Sequence, residues 1–350
     1  MAAFSLGGVR LSTLAVAVPS QTKRNIEYEH ISPSERSVLI KTIGIEERRI
    51  VSDNMTASDL CAAAAEQLLE QTATRRKDIG LLVFVSQSPD YYLPATAALL
   101  QHRLNLPIGT LAFDVGLGCS GYVYGLSIVA SLMRTTGVKK ALLLAGDVSS
   151  VTTGPADKST HPLFGDAGSA SLLELDEKAH DWHVNLMTDG KGGMAIMIPD
   201  GGGRNKLSPD SFDLQPVSEG IARSRLSLTL DGPKIFAFSV REVPSSITDL
   251  LAQAGQPVDD IDYLVMHQAN KLINETVRKK LKVPTEKVPY SLDKFGNTSS
   301  ASIPLTLVTR LAEPLKQPQN LLLSGFGVGF SWGNVLMKTD GIQCLPLIEI

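Results

Sequence analysis

The chain has 350 residues, of which 43% are hydrophobic, and a formal net charge of −3. Its length exceeds the usual size of one domain, so we expect two domains or one large duplicated core. The apolar share excludes a disordered chain, and the slight acidity argues against a nucleic-acid binder, which normally carries a basic excess. The three cysteines are too few and too irregularly spaced for a disulfide framework or a zinc site.

The first predicted element is a β-strand over residues 9–19. The opening twenty residues have the apolar content of a signal peptide, but Arg10 interrupts the run and the following residues alternate as in a strand. No stretch of about 18 uninterrupted apolar residues predicts a transmembrane helix. We therefore expect a cytoplasmic protein that binds neither membranes nor nucleic acid.

A weak internal repeat follows. The order strand, helix, glycine-containing loop with helix, and strand occurs twice, at an offset of about 180 residues. In the first half these elements cover residues 79–90, 94–104, 113–133 and 139–147. In the second half they cover residues 261–270, 272–281, 292–311 and 320–327.

The short apolar runs in both halves are typical of strands buried on both faces of a sheet. Their alternation with helices predicts an α/β protein. We expect the halves to divide into residues 1–178 and 179–350, with Cys119 and Asn297 on facing loops. Residues 200–213 are rich in Gly, Asp and Ser and predict a surface loop, either a plain insertion or part of a substrate rim.

The segment around Cys119 predicts a nucleophile. Gly116 and Gly118 precede the cysteine in a tight approach, and apolar residues at helical spacing follow from Tyr122 onward. Cys119 is therefore expected near the N-terminus of a buried helix, where free N–H groups and the helix dipole stabilise a thiolate. A lone buried cysteine more often only packs, and this is what we expect of the other two.

His267 and Asn297 are the candidate partners of the cysteine. His267 follows an apolar run, at the end of a predicted strand, where α/β proteins commonly expose active-site groups. Asn297 stands after a glycine and before small residues, where an asparagine is also common as a turn residue or helix cap. No spacing of His, Cys and Glu predicts a metal site, and no GxSxG segment predicts a serine hydrolase.

Four ordered motifs make the pattern specific, namely DVGLGCSGY (114–122), HQAN (267–270), GNTSSAS (296–302) and GFGVGFSWG (325–333). Together they resemble the signatures of the β-ketoacyl-acyl-carrier-protein (3-oxoacyl-ACP) synthase III family of the thiolase superfamily. The resemblance begins at GIEERRI (44–50), continues through FGDAGSA (164–170) and reaches the C-terminal strand. It implies a thiolase fold, built from duplicated halves in a five-layer αβαβα arrangement and usually assembled as a homodimer.

The resemblance also implies an acyltransferase without a bound cofactor or metal. Cys119 would take an acyl group from a thioester, either acyl-CoA or acyl-ACP. His267 and Asn297 would then hold the carbonyl of malonyl-ACP while carbon dioxide leaves and the enolate attacks the acyl group on the cysteine. In the family, backbone N–H groups of the nucleophile and of a C-terminal glycine loop form the oxyanion hole. These match Cys119 and Val328.

The helix after HQAN carries a basic face that includes Arg278, Lys279 and Lys280. Such a face can be an ordinary solvated surface. The resemblance favours the alternative, in which this surface docks an acidic acyl carrier protein and electrostatic attraction raises the association rate.

Contacts to the acyl donor depart from the family pattern. Val38 and Thr42 stand where the family commonly has a Trp and an Arg that clamp the adenine of coenzyme A, and Leu272 replaces a further arginine. Lys158 keeps a basic group at another position that meets the coenzyme. We therefore expect free acyl-CoA to be a poorer donor here than in typical members of the family.

Three functions are compatible with these residues. The first is decarboxylative condensation of a thioester starter with malonyl-ACP, in fatty-acid or secondary-metabolite synthesis. The second is acyl transfer to an oxygen or nitrogen nucleophile without decarboxylation. The third is a binding role with an inert site. The intact set of Cys119, His267 and Asn297 favours the first, because an ester-forming transferase has no enolate to stabilise.

Overall fold

The structure, a computed structural model, describes residues 2–350 and is a mixed α/β protein. Its strands are β1 Ala2–Leu6, β2 Val9–Val18, β3 Thr22–Arg24, β4 Glu47–Arg49, β5 Ile79–Val85, β6 Leu111–Val115, β7 Lys140–Asp147, β8 Ala167–Leu175, β9 Trp182–Thr188, β10 Ile196–Met197, β11 Gln215–Ser218, β12 Ile221–Arg223, β13 Thr229–Leu230, β14 Tyr263–Met266, β15 Asn320–Gly327, β16 Ser331–Lys338, β17 Gln343–Cys344 and β18 Ile348–Glu349. Its α-helices are α1 Pro33–Ile43, α2 Ala57–Gln71, α3 Thr96–Arg103, α4 Gly121–Thr136, α5 Gly232–Ala254, α6 Lys271–Leu281, α7 Leu292–Phe295 and α8 Ser302–Arg310.

Two large sheets carry the internal repeat. The first has the order β17-β2-β8-β7-β5-β6, with β18 also paired to β2, and the second has the order β1-β9-β16-β15-β14. The strand directions correspond in the two sheets. Strand β8 is antiparallel to both β2 and β7, and β7 is parallel to β5. In the same way, β16 is antiparallel to both β9 and β15, and β15 is parallel to β14. The predicted duplication of the fold is therefore confirmed.

Helices and sheets alternate in five layers. One apolar core lies between α2, α3 and the outer face of the first sheet, and another joins α5 and α6 to the outer face of the second sheet. The largest core lies between the sheets and contains α4 and α8. This arrangement is the αβαβα order that the resemblance implied. Seven of the eight residues of β7 are buried, as expected for a strand covered on both faces.

The chain termini cross between the two sheets. The predicted first strand is present as β2, but the residues before it form β1, which pairs with β9 in the second sheet. At the other end, β17 and β18 pair with β2 in the first sheet. The division of the chain into residues 1–178 and 179–350 stays a prediction. At both ends of the chain, short strands pair with a strand of the other half.

Local sequence explains the elements that lead to the site. Asn270 caps α6 by accepting a hydrogen bond from the N–H of Ile273, and the buried stripe of Ile273, Val277 and Leu281 holds this helix against the second sheet. Between β10 and β11, the predicted surface loop is mostly exposed, and within it Asp200 forms an ion pair with Arg225. No helix within residues 2–350 has the length and hydropathy needed to cross a membrane.

Candidate active site

Cys119 lies in the loop between β6 and α4, two residues before the helix begins. The loop can be this tight because glycines surround it. A Cβ atom on Gly118 would lie 2.8 Å from the Ser299 hydroxyl, and one on Gly327 would lie 2.6 Å from the Cys119 Cβ atom. The predicted tight approach at Gly116 is wrong, because nothing lies within 4 Å of a Cβ at that position.

The thiol of Cys119 is buried, and burial raises its pKa to about 11. The negative charge of Asp147 adds to this rise, whereas the Ser299 hydroxyl and the backbone N–H groups of Val328 and Cys119 oppose it. The expectation of a stabilised thiolate is therefore wrong, because desolvation and the charge of Asp147 outweigh these three donors. The backbone N–H groups of Val328 and Cys119 nonetheless both lower the pKa of this thiol. They are the two groups expected to form the oxyanion hole.

His267 directly follows β14, and the residue is 1% exposed. Its Nδ1 atom lies 2.8 Å from the hydroxyl of Ser302, and the ring of Phe326 packs edge-on against it, with centroids 5.6 Å apart. Burial lowers the pKa of His267 to about 3, so the imidazole is neutral at physiological pH. A neutral imidazole can donate only one hydrogen bond, through the nitrogen that carries the proton.

Asn297 follows Gly296, whose φ of 66° favours glycine. The backbone of Asn297 makes two hydrogen bonds to residues 163–165. Its N–H donates to the carbonyl of Leu163, and its carbonyl accepts from the N–H of Gly165. Its side-chain Oδ1 accepts from the N–H of Ser299 at 2.9 Å. The amide oxygen is thereby occupied, and the NH₂ group remains as a donor on a side chain that lines the cavity.

Cys119, His267 and Asn297 line one cavity of about 280 Å³. The internal repeat predicted this meeting for Cys119 and Asn297. The thiol sulfur lies 3.9 Å from the Ser299 hydroxyl, two residues after Asn297. The remaining wall is mainly apolar and includes Ile196, Leu228, Leu230, Phe326 and Val328. The arrangement places a nucleophile beside two side chains that can donate to an oxygen atom.

Sequence reasoning missed two groups at this site. Asp147 ends β7 and is buried, and its carboxylate accepts hydrogen bonds from the N–H of Gln87 and from the N–H and hydroxyl of Ser300. It therefore ties a loop of the first half to the segment that carries Asn297. Ser302 contacts His267. Asp147 ends a predicted strand and Ser302 ends the GNTSSAS motif, but polarity at a strand end and a serine among small residues were the only signals.

The predicted donor and carrier contacts lie outside this cavity. Lys158 pairs with Glu35 of α1 at 2.7 Å, and neither lines the cavity. Arg278 is held by Glu275 at 2.8 Å and its side chain is only 14% exposed. Lys279 and Lys280 are exposed, although Lys280 also donates to the backbone carbonyl of Val240.

Comparisons with known proteins show which family the chain belongs to. Family models for the 3-oxoacyl-[acyl-carrier-protein (ACP)] synthase III domain and for its C-terminal domain match residues 113–190 and 251–339. A β-ketoacyl-[acyl-carrier-protein] synthase III from Streptococcus mutans is 32% identical over 94% of this chain and 98% of its own length. The chain belongs to the 3-oxoacyl-ACP synthase III family. The resemblance of the four motifs is thus confirmed.

Solved structures of synthase III proteins confirm the thiolase fold. A 3-oxoacyl-(acyl-carrier protein) synthase from Burkholderia xenovorans LB400 superposes with a TM-score of 0.93, at 36% identity over 99% of both chains. The priming β-ketosynthase from the R1128 polyketide biosynthetic pathway has a TM-score of 0.81 and 26% identity, over 96% of this chain and 97% of its own. One of the structures similar to this chain therefore comes from a polyketide biosynthetic pathway.

The raised pKa of Cys119 predicts a steep pH dependence in this synthase III homologue. The thiolate is the reactive form, so alkylation of Cys119 by iodoacetamide should accelerate about tenfold per pH unit from pH 7 to 9. The rate is measured by peptide mass spectrometry, with the fully buried Cys61 as an internal control that stays unmodified. A rate that levels off near pH 7 would show that the thiolate is stabilised after all.

Proposed function

We propose that this synthase III homologue joins an acyl group, carried on Cys119, to the two-carbon unit of malonyl-ACP with loss of carbon dioxide. The observation that carries the proposal is the single cavity shared by Cys119, neutral His267 and the Asn297 amide. A nucleophile alone would suit any acyl transfer. Two further hydrogen-bond donors in the same cavity suit a reaction that builds an enolate.

In the first half-reaction, the sulfur of Cys119 attacks the carbonyl carbon of an acyl thioester. The N–H groups of Cys119 and Val328 stabilise the negative oxygen of the tetrahedral intermediate. The carbon–sulfur bond of the donor then breaks, and the proton lost by Cys119 leaves with the departing thiol. The acyl group remains on the enzyme as a thioester.

In the second half-reaction, His267 and Asn297 donate hydrogen bonds to the thioester oxygen of the malonyl group. The bond between the α-carbon and the carboxylate breaks and carbon dioxide leaves. The electron pair of that bond forms the enolate. The enolate carbon attacks the acyl carbonyl, and the bond to the sulfur of Cys119 breaks. Because the pKa of Cys119 is raised, the released thiolate takes up a proton and returns to the resting thiol.

Carbon dioxide release distinguishes this reaction from the ester-forming or amide-forming alternative. Malonyl-ACP labelled at its free carboxylate should release labelled carbon dioxide in a one-to-one ratio with the 3-oxoacyl product. Acyl transfer to an added alcohol or amine without label release would instead support the second function. Absence of both reactions over a range of acyl thioesters would support a binding role.

We propose an acyl carrier protein as the partner, docking on the exposed basic residues of α6. Lys279→Glu with Lys280→Glu should raise the KM for malonyl-ACP about tenfold or more at low salt, because rim charges mainly steer association. Arg278 belongs to the predicted surface but is engaged by Glu275, so reversing its charge also breaks an ion pair. Kinetics with carrier-bound and small thioesters at two salt concentrations measure the effect.

A matched control is Lys77→Glu with Lys139→Glu. Both lysines are exposed, and they precede the parallel strands β5 and β7. They therefore lie at the opposite end of these strands from Cys119, which follows the parallel strand β6. The control should leave KM unchanged. If the α6 variant loses the same activity with small thioesters as with malonyl-ACP, the docking surface is disproved.

The donor of the acyl group is proposed to be acyl-ACP in preference to free acyl-CoA. Val38 is 65% exposed on α1 and offers no aromatic or charged contact. The one basic residue at a position that meets the coenzyme, Lys158, is already paired with Glu35, which reduces its attraction for a phosphate group.

We also propose a homodimer. Strand β6 is an edge of the first sheet, paired only with β5, and Leu111 at its start is 47% exposed. Ile108, three residues before Leu111, is 100% exposed, and Leu93, in the loop between β5 and α3, is 86% exposed. An apolar edge strand is normally covered, and a second copy of β6 would extend both sheets.

The expected mass in solution is twice the 37.5 kDa of one chain. Ile108→Asp with Leu111→Asp should shift the molecule toward the monomer in light-scattering chromatography, while Lys77→Glu leaves the dimer intact. A wild-type monomer at micromolar concentration would disprove the assembly. We place the protein in the cytoplasm, which its three free cysteines support.

A further inference from the structure

The hydroxyl of Ser302 lies between two hydrogen-bonding partners. Its Oγ atom is 2.8 Å from Nδ1 of His267 and 2.8 Å from the carbonyl oxygen of Ser299. All three residues are buried, at 1%, 1% and 4% exposure. Bulk water therefore does not compete for these bonds, and the proton of the hydroxyl decides how the network is arranged.

A hydroxyl has one proton and can donate to only one of these partners. If Ser302 donates to the Ser299 carbonyl, it must accept from Nδ1–H, and the other ring nitrogen of His267, Nε2, is left as a lone pair. If Ser302 donates to Nδ1, the proton of the neutral ring is on Nε2. The two arrangements differ in whether His267 accepts or donates at Nε2.

Neither arrangement leaves one of these buried groups unpaired. The backbone N–H of Ser302 also donates to the carbonyl of Ser299, so that carbonyl keeps a partner when the hydroxyl turns away. Among residues 2–350, the partners of the His267 ring are the Ser302 hydroxyl and the Ser299 carbonyl. A carbonyl only accepts, so Ser302 is the one group that can donate to Nδ1.

We propose that Ser302 is a positioning residue that sets the tautomer of His267, donating to Nδ1 and so keeping the proton on Nε2 for the malonyl thioester oxygen. This inference rests on the proposed condensation, which needs a donor at that oxygen. The ring cannot supply one through Nε2 if its single proton is drawn to Nδ1 by the Ser299 carbonyl. Ser302 thus acts on the reaction through His267 and does not itself touch the substrate.

The test compares Ser302→Ala, Ser302→Thr and Thr309→Ala. Ser302→Ala leaves Nδ1 only the Ser299 carbonyl, so the proton should move to Nδ1 and malonyl decarboxylation should fall on the order of 100-fold. Acylation of Cys119 should stay within about threefold of wild type, because it does not need Nε2–H. Ser302→Thr keeps a hydroxyl and should restore most of the rate. Thr309→Ala removes a hydroxyl from the same helix, where it donates to Leu305, and should change neither step.

The tautomer of His267 is the deciding readout, because the loss of a merely structural contact would not change it. Nitrogen-15 NMR of histidine-labelled protein, with His267 assigned by its loss in His267→Gln, should show Nε2–H in wild type and in Ser302→Thr. It should show Nδ1–H in Ser302→Ala. An unchanged tautomer in Ser302→Ala, or a decarboxylation rate within threefold of wild type, overturns the proposal.

Failure of the proposed function gives a different result. In that case wild type releases no carbon dioxide from malonyl-ACP, and there is no oxygen for Nε2–H to serve, so the positioning role is withdrawn with it. If wild type releases carbon dioxide and Ser302→Ala does so equally well, only the role of Ser302 is wrong. Thermal unfolding of each variant identifies a loss of rate that comes from misfolding, in which case the Ser302→Thr and NMR results decide.

Discussion

Replacing Cys119 with alanine is expected to abolish acyl-enzyme formation. The structure offers one thiol that lines the cavity, and the alanine variant retains the N–H groups and the cavity but has no nucleophile. Loss of the nucleophile in a covalent mechanism lowers the rate by about 10⁶-fold in well-studied cases. Intact-protein mass spectrometry after exposure to acyl thioesters measures the adduct directly.

The other two cysteines provide the controls. Cys61 is fully buried in α2, and Cys344 lies at the opposite end of the chain, where its thiol contacts the Leu307 carbonyl. Cys61→Ala and Cys344→Ala should each keep a full acyl adduct. An adduct that persists on Cys119→Ala would show that another residue is the nucleophile.

Asn297→Ala and His267→Ala are expected to separate the two half-reactions. Each removes a donor to the malonyl thioester oxygen, and the loss of one such donor typically costs 10²–10³-fold in rate, or about 2.7–4 kcal/mol. Acylation of Cys119 should persist at least in part, because its oxyanion is held by backbone N–H groups. The measurement is single-turnover decarboxylation beside the rate of adduct formation.

A near-isosteric control makes the second prediction sharper. Asn297→Asp keeps the oxygen that accepts from the Ser299 N–H, but replaces the donating NH₂ group with a second oxygen. It should therefore lower decarboxylation at least as far as alanine does, although the side chain has nearly the same size. If either Asn297 variant condenses at close to the wild-type rate, Asn297 is not part of the site.

The sequence singled out three residues that the structure places in one cavity, because the signals for each of them are local. A nucleophile between glycines before a helix, a histidine at a strand end and an asparagine after a glycine all depend on neighbours in sequence. The repeat then predicted that Cys119 and Asn297 meet, since corresponding loops of a duplicated fold face one another. The comparisons confirmed the family that the four motifs indicated.

Other properties depend on atoms that meet only in three dimensions. The raised pKa of Cys119 results from burial and from Asp147, which is 28 residues further along the chain and packs against the segment carrying Ser300. The crossing of β1 to the second sheet has no signature in its five residues. The ion pair between Arg278 and Glu275 could have been predicted from the sequence, because Glu275 stands three residues before Arg278 on the same helix.

The most direct measurement is a chase of the acyl-enzyme. Protein acylated on Cys119 is separated from the donor, mixed with malonyl-ACP, and followed by intact mass and by carbon dioxide release. The account predicts that the acyl mass disappears from Cys119 in step with carbon dioxide, and that the 3-oxoacyl product appears on the carrier in equal amount. Acyl mass that remains on Cys119, or that leaves to water or another acceptor without carbon dioxide, would contradict it.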